Sequence, residues 1–224
     1  MDAHRKNWNQ GQQELREALT HPEEHPKAIE LFLRQHAMVH SAQVSKSGLW
    51  SFDDEVWQDL SEETARTIRR NLEHSIAWNI WHIARIEDVT MNMLVAGGSQ
   101  VAVHEGWYER MKISMRDTGN AMDGQDVAAL SSTIDLDALR AYRDAVGRRT
   151  REVVRRIQPD EFKRKVEAGR LQRVLDEGAV LPEAQGLLDY WGGLSIAGLL
   201  LMPPTRHNFV HLNEAVRIKG KSQP

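Results

Sequence analysis

Apolar residues recur at intervals of three and four along much of the chain, the pattern of helices that bury one face. From Lys27 to Val44, the positions Ile29, Phe32, Leu33, His36, Ala37, His40 and Val44 trace such a face and predict a first long helix. A second is predicted from Ser75 to about Ala96, where Gly97-Gly98 stops it, with His82, Ile86, Val89 and Met93 sharing one stripe. Asp135 is placed to cap a third, whose Leu136, Leu139, Tyr142, Val146, Val153 and Ile157 keep helical spacing until Gln158-Pro159 ends it. After Pro203-Pro204, Thr205 is the expected N-cap of a last helix running through His207, Val210, His211, Ala215 and Ile218 to Gly220. No stretch alternates with the period of a half-buried strand. The expected fold is therefore all-α, a four-helix bundle with additional short helices.

The segments between these helices are less regular. Residues 1–24 are polar and read as an N-terminal extension, with the fold beginning near Pro26. Residues 97–134 form a long connection between helices two and three, punctuated by Gly106, Gly119-Asn120 and Gly124, in which short helices are expected. From Asp160 to Met202 helical fragments break at Gly169, Gly178–Pro182 and Gly192-Gly193. The whole chain, 1–224, is expected to be a single domain. Gly186 to Met202 is rich in leucine, but Asp189, four glycines and its short length favour buried packing over a membrane span.

Composition narrows the chemistry. Lys plus Arg (29) nearly balance Asp plus Glu (32), for a net charge of -3, which argues against nucleic-acid binding through bulk positive charge. There is no cysteine, so disulfides, thiolate-ligated zinc, iron–sulfur clusters and a protein-borne nucleophilic thiol are excluded. Any metal must rest on His, Asp or Glu. The first residues lack the apolar core of a secretory signal, which makes a cytoplasmic location the expectation, with no membrane partner.

His207 and His211 stand four apart, a rotation of about 40° that places both rings on one helix face. That face is shared with Val210 and Ile218 and so is expected to point inward, where neutral imidazoles need partners to offset lost hydration. His82, flanked by Trp78 and Trp81 on the inward stripe of the second helix, would complete three nitrogen ligands. Three is the number a catalytic zinc site uses while leaving a position open, and three histidines without thiolate suit Zn, Ni, Co or Fe, zinc or nickel first among them. His36 and His40 form a second pair four apart; His40 is a candidate pocket residue, and both stay outside the metal set. Trp78 and Glu214 are further pocket candidates, although tryptophans at helical spacing are more often plain core, and a carboxylate placed like Glu214 more often backs a ligand or lies on the surface than takes part in catalysis. His74 and His104 have no evident partner in the sequence. The paired Glu-x-x-His units of a carboxylate-bridged di-iron bundle are absent.

The segment from Ser75 to Asp88, with its Trp-His-Ile-Ala-Arg-Ile-Glu-Asp core, resembles the second helix of the DinB-like (YfiT-like) family. Thr205 to Ala215, with its His-x-x-x-His, looks like that family's terminal segment, and the two stand in the family's order. The resemblance covers roughly residues 27–219 in outline. It implies a helical bundle with one divalent metal on His82, His207 and His211. It further implies an enzyme class that includes low-molecular-weight thiol transferases and thiol-dependent isomerases, and an assembly that is often a homodimer. The chain departs from a minimal member in the long connection after helix two and the extended stretch before the last helix. The leading expectation is a metal-dependent enzyme that moves a small thiol onto a small electrophile, or a related hydrolase or isomerase. The alternative is a non-catalytic, stress-associated metal-binding bundle.

Overall fold

The computed structural model describes residues 2–220 apart from Asn71. Five long helices organise it: α1 (Ala3–Ala18), α2 (His25–Val39), α3 (Ile76–Asp88), α4 (Leu136–Val154) and α5 (Asn208–Gly220). Short helical pieces connect them, and no strand occurs among the described residues. The expected all-α bundle is what is found.

Helix α3 is the centre of the bundle. Ser75 caps it by accepting from the Trp78 N–H, and every residue from Ile76 to Asp88 is buried. The single inward stripe expected from sequence is thus a helix enclosed on all sides, packed against α4 and α5. Such burial demands partners for its polar residues. The Arg85 guanidinium donates to Tyr142, Gln100 and the Arg116 carbonyl, and Asp88 accepts from the Val101 and Ala102 N–H groups. Asp88 therefore anchors the short helix Val101–His104, the first piece of the 97–134 connection. Asp135 caps α4 through the Ala138 N–H, as its position implied. Helix α2 is tied to α4 by two arginines, Arg143 donating to the Val39 carbonyl and Arg151 to that of Leu33.

Three expectations change. The polar N-terminal stretch read as an extension is helix α1, packed along α2 with Leu15 and Ala18 in the apolar group of Leu31 and Phe32, while the Trp8 ring stacks on Phe209 of α5 at 3.8 Å. Its apolar residues are too sparse to announce a helix, yet one large ring and a few small contacts suffice to dock it. Second, α3 does not run on as α-helix to Ala96: residues Val89–Val95 are π-helical, with the Ala96 N–H bonded to the Met91 carbonyl. Third, Thr205 is not an N-cap. A π-helical turn, Met202–His207, passes directly into α5, and the Thr205 hydroxyl donates to the Leu200 and Leu201 carbonyls. Pro203 and Pro204 lack the N–H groups a regular turn would use there. Gln12 of α1 reaches in to bond both the Leu201 carbonyl and the Thr205 hydroxyl.

Side chains pack in two apolar groups. One surrounds Trp81, Ile80 and Tyr142 near the first half of α3; the other gathers Met91, Trp191, Leu199 and Leu200 around the π-helical continuation. The leucine-rich stretch before Met202 belongs to the second, and no helix among the described residues is long and apolar enough to cross a membrane.

Candidate metal centre

His82 projects from the middle of α3, His207 from the end of the π turn and His211 from the first turn of α5. The three rings form a cup. Their centroids lie 5.0 Å (His82–His207), 4.9 Å (His82–His211) and 4.5 Å (His207–His211) apart, and their planes are mutually inclined by 63°, 66° and 61°. One nitrogen from each lies within 4.8 Å of the others, close enough to converge on one ion.

Two rings are oriented from behind. His82 donates its Nδ1–H to the Thr118 carbonyl at 2.5 Å, and His211 donates its Nδ1–H to Asn79 Oδ1 at 2.6 Å. Both acceptors are oxygens without protons, so Nε2 of each ring must present its lone pair. This is the arrangement by which metal-binding histidines are usually fixed in tautomer and direction. His207 has no such support: its Nδ1 is buried and unpartnered. Three neutral imidazoles converging within 4.8 Å, two of them with lone pairs prepared from behind, fit a single divalent cation in donor type and number.

Electrostatics agree with that fit. Burial pushes His82 down to about 3 and His211 to about 4, and lowers His207 well below the ordinary imidazole range, with the neighbouring rings adding to the shift. All three are neutral at pH 7, the state a metal requires. His82 is sealed in, but His207 and His211 are only partly covered, so one edge of the cup meets solvent. The expectation that this face points wholly inward is corrected by Val210, which is 45% exposed.

The loop that supplies Thr118 depends on glycine. Gly119 has φ +81°, and a Cβ there would meet Trp81 Cζ3 at 2.6 Å, so the turn can pass over the indole only without a side chain. Trp78 is buried and stacks on His82, the ring centroids 4.5 Å apart. Glu214 is partly exposed, with Oε2 3.9 Å from His211 Nδ1. His74, which had no evident partner, stacks on Trp78 at 3.7 Å and extends the column His74–Trp78–His82 toward the surface. His104 is exposed on a separate cleft beside Arg148, and Trp107 packs in the core near Tyr142.

His40 is not part of the cup. With His36 it belongs to a second, fully buried cluster around Glu87: His36 Nε2 to Oε1 is 2.9 Å, and His40 Nε2 to Oε2 is 2.8 Å. Asn208 Nδ2 donates to the same Oε2 at 2.6 Å. Burial acts to raise the Glu87 carboxyl, but the adjoining His40 and His36 and their hydrogen bonds hold it well below the usual range, so it is ionised. Sequence reasoning named Glu87 only as a letter in the motif and missed Asn79, Thr118 and Asn208. An Asn one turn above His82 on the same helix was a signal for Asn79; a backbone carbonyl such as that of Thr118 leaves none.

Residues 54–181, just over half the chain, match the model of the DinB superfamily. The chain belongs to the DinB superfamily. The matched span contains His82 with its Arg-Ile-Glu-Asp continuation, while His207 and His211 lie beyond it. Within this DinB superfamily chain the family motif therefore distributes its residues among separate tasks: His82 to the cup, Arg85 to the loop behind it, Glu87 to the second cluster and Asp88 to the next helix. No curated protein matches the chain.

Proposed function

We propose that His82, His207 and His211 bind one divalent transition ion, zinc or nickel first among the candidates, and that the centre is catalytic. The observation that carries this reading is the pairing of prepared donors with a partly open edge. Nδ1 is tied back on His82 and His211, all three rings are neutral, and His207 and His211 remain reachable. A purely structural zinc site is normally closed by four protein ligands, whereas three leave a place for an exchangeable fourth. When bound, such an ion supplies Lewis acidity that lowers the pKa of a coordinated water or thiol.

The chain contains no thiol of its own, which leaves room for an external one as cosubstrate. We assign the reaction to transfer of a low-molecular-weight thiol onto a small electrophile, or to a hydrolysis or isomerisation in the same class. Trp78, buried and stacked between His74 and His82, backs the cup and holds the His82 ring plane in place. Glu214 lies partly exposed on the Nδ1 side of His211, behind the ligand, where its charge supports that ring as a metal donor.

The test is a Co(II)-substituted sample titrated with a small thiol, followed by turnover with an activated electrophile. A visible spectrum that shifts on thiol addition, with thiol consumption that requires the metal, is the expected result. A spectrum indifferent to thiol, water and anions alike would leave the centre structural.

A further inference from the structure

We infer that Glu87, acting through Asn208, is the positioning residue that seats His207, and that His36 and His40 anchor Glu87 rather than forming a second metal site. The inference rests on the reading of the three-histidine cup as a metal centre and adds how one of its ligands is held.

The three ligands are not held alike. His82 and His211 have their rings fixed by hydrogen bonds at Nδ1, but His207 has none, so its place depends on the backbone that carries it. That backbone is the π turn Met202–His207, which contains two successive prolines and so cannot draw on a full helical ladder. The next residue, Asn208, is buried and bridges the weak point. Its Nδ2 donates to Glu87 Oε2 at 2.6 Å and lies 3.2 Å from the Pro204 carbonyl. Glu87 lies five residues after His82, so the Asn208 bond joins the helix of one ligand to the junction between His207, at the end of the π turn, and the helix that bears His211.

Glu87 can serve as a fixed post because three donors hold it. An ionised carboxylate only accepts, so the facing Nε2 atoms of His36 and His40 must carry protons. Their lone pairs therefore sit on Nδ1, and Nδ1 of His40 faces the backbone of α4, where a Cβ at Gly147 would come within 2.5 Å. The cluster superficially has a metal site's composition, two histidines and a carboxylate converging within 4.8 Å. Loading it would require both rings to change tautomer, leaving two buried N–H groups at Nδ1 with no acceptor. On His82 and His211 the protons are on the far side of the rings; in this cluster they point at the carboxylate.

The test compares full-length wild type with Asn208→Ala and Asn208→Ser by Co(II) titration, reading stoichiometry, affinity and visible spectrum. Leu212→Ala serves as a control that loosens the same helix while leaving the Asn208–Glu87 hydrogen bond in place. Wild type should bind one equivalent. Both Asn208 variants should still bind one, about 10- to 100-fold more weakly and with an altered spectrum, the range typical when the support behind a metal ligand is removed. Leu212→Ala should keep the wild-type spectrum and affinity. Wild-type behaviour in either folded Asn208 variant would overturn the inference. So would an equal loss in Leu212→Ala, or a second tightly bound equivalent that disappears in His40→Ala. Absence of binding in wild type would instead refute the metal centre itself, and this inference with it.

Discussion

Two clusters of histidines lie in one bundle, built from the same side chains and joined through consecutive residues, His207 and Asn208, yet they have opposite polarity. In the cup, His82 and His211 turn their N–H groups outward to Thr118 and Asn79 and leave lone pairs converging on a shared point. In the second cluster, His36 and His40 turn their N–H groups inward onto Glu87, and the convergence is already filled by a carboxylate. The difference teaches that ligand type and spacing do not define a metal site. What decides is which nitrogen carries the proton, and that is set by the acceptor each ring meets.

The largest effect on stability should come from the closed cluster. Glu87→Ala leaves two buried imidazole N–H groups and the Asn208 amide without their shared acceptor, and should cost about 3 kcal/mol, the lower end for breaking a buried charged network. Urea unfolding of metal-free protein would measure it, with His211→Ala as the comparison from the partly open cup, where a much smaller loss is expected. Equal losses would erase the contrast between the regions. Gly147→Ala should follow at about 2 kcal/mol, because its Cβ would press on the His40 ring at 2.5 Å, and cores resist such overpacking. A neutral outcome would mean that His40 is less rigidly held than the geometry implies.

A smaller, more selective effect is expected at Asn79. Asn79→Ala removes the support behind His211 and should weaken metal binding about tenfold while leaving the helical spectrum in place, read by competition with a chelator. Unchanged affinity would show that His211 needs no support from behind. The most gradual effect is with pH. In metal-free protein His82 stays neutral down to about 3 and His211 to about 4, whereas the unfolded chain takes up those protons near 6.5. Stability is then full above about pH 6.5 and declines as the pH falls toward the folded values, since the unfolded state binds more protons across that window. Thermal midpoints at several pH values between 7.5 and 4.5 should drop monotonically, and a flat profile would contradict the buried, neutral rings.

Much of the site was legible in the sequence because it depends on local geometry. A four-residue spacing places His207 and His211 on one face, and Ser75 and Asp135 cap the helices they precede. The family motif marked His82. What was hidden depends on contacts distant along the chain. Thr118 meets His82 across 36 residues through a backbone carbonyl, and Glu87 meets Asn208 across 121. Helix α1 was missed because Trp8, Leu15 and Ala18 are too few to outweigh a polar composition until Phe209 of α5 and the apolar face of α2 are there to receive them. The π turn was read as a helix start because two prolines before a threonine ordinarily mark one; here Gln12 and the Thr205 hydroxyl satisfy the carbonyls instead.

The central claim is that one ion sits on His82, His207 and His211. It is tested most directly by metal content after zinc loading and exhaustive dialysis, measured for wild type and for His82→Ala, His207→Ala and His211→Ala, with circular dichroism to confirm that each remains helical. One ion per wild-type chain, falling to near zero in each folded variant, is the predicted result. A full ion retained in all three variants, or none in wild type, would contradict it.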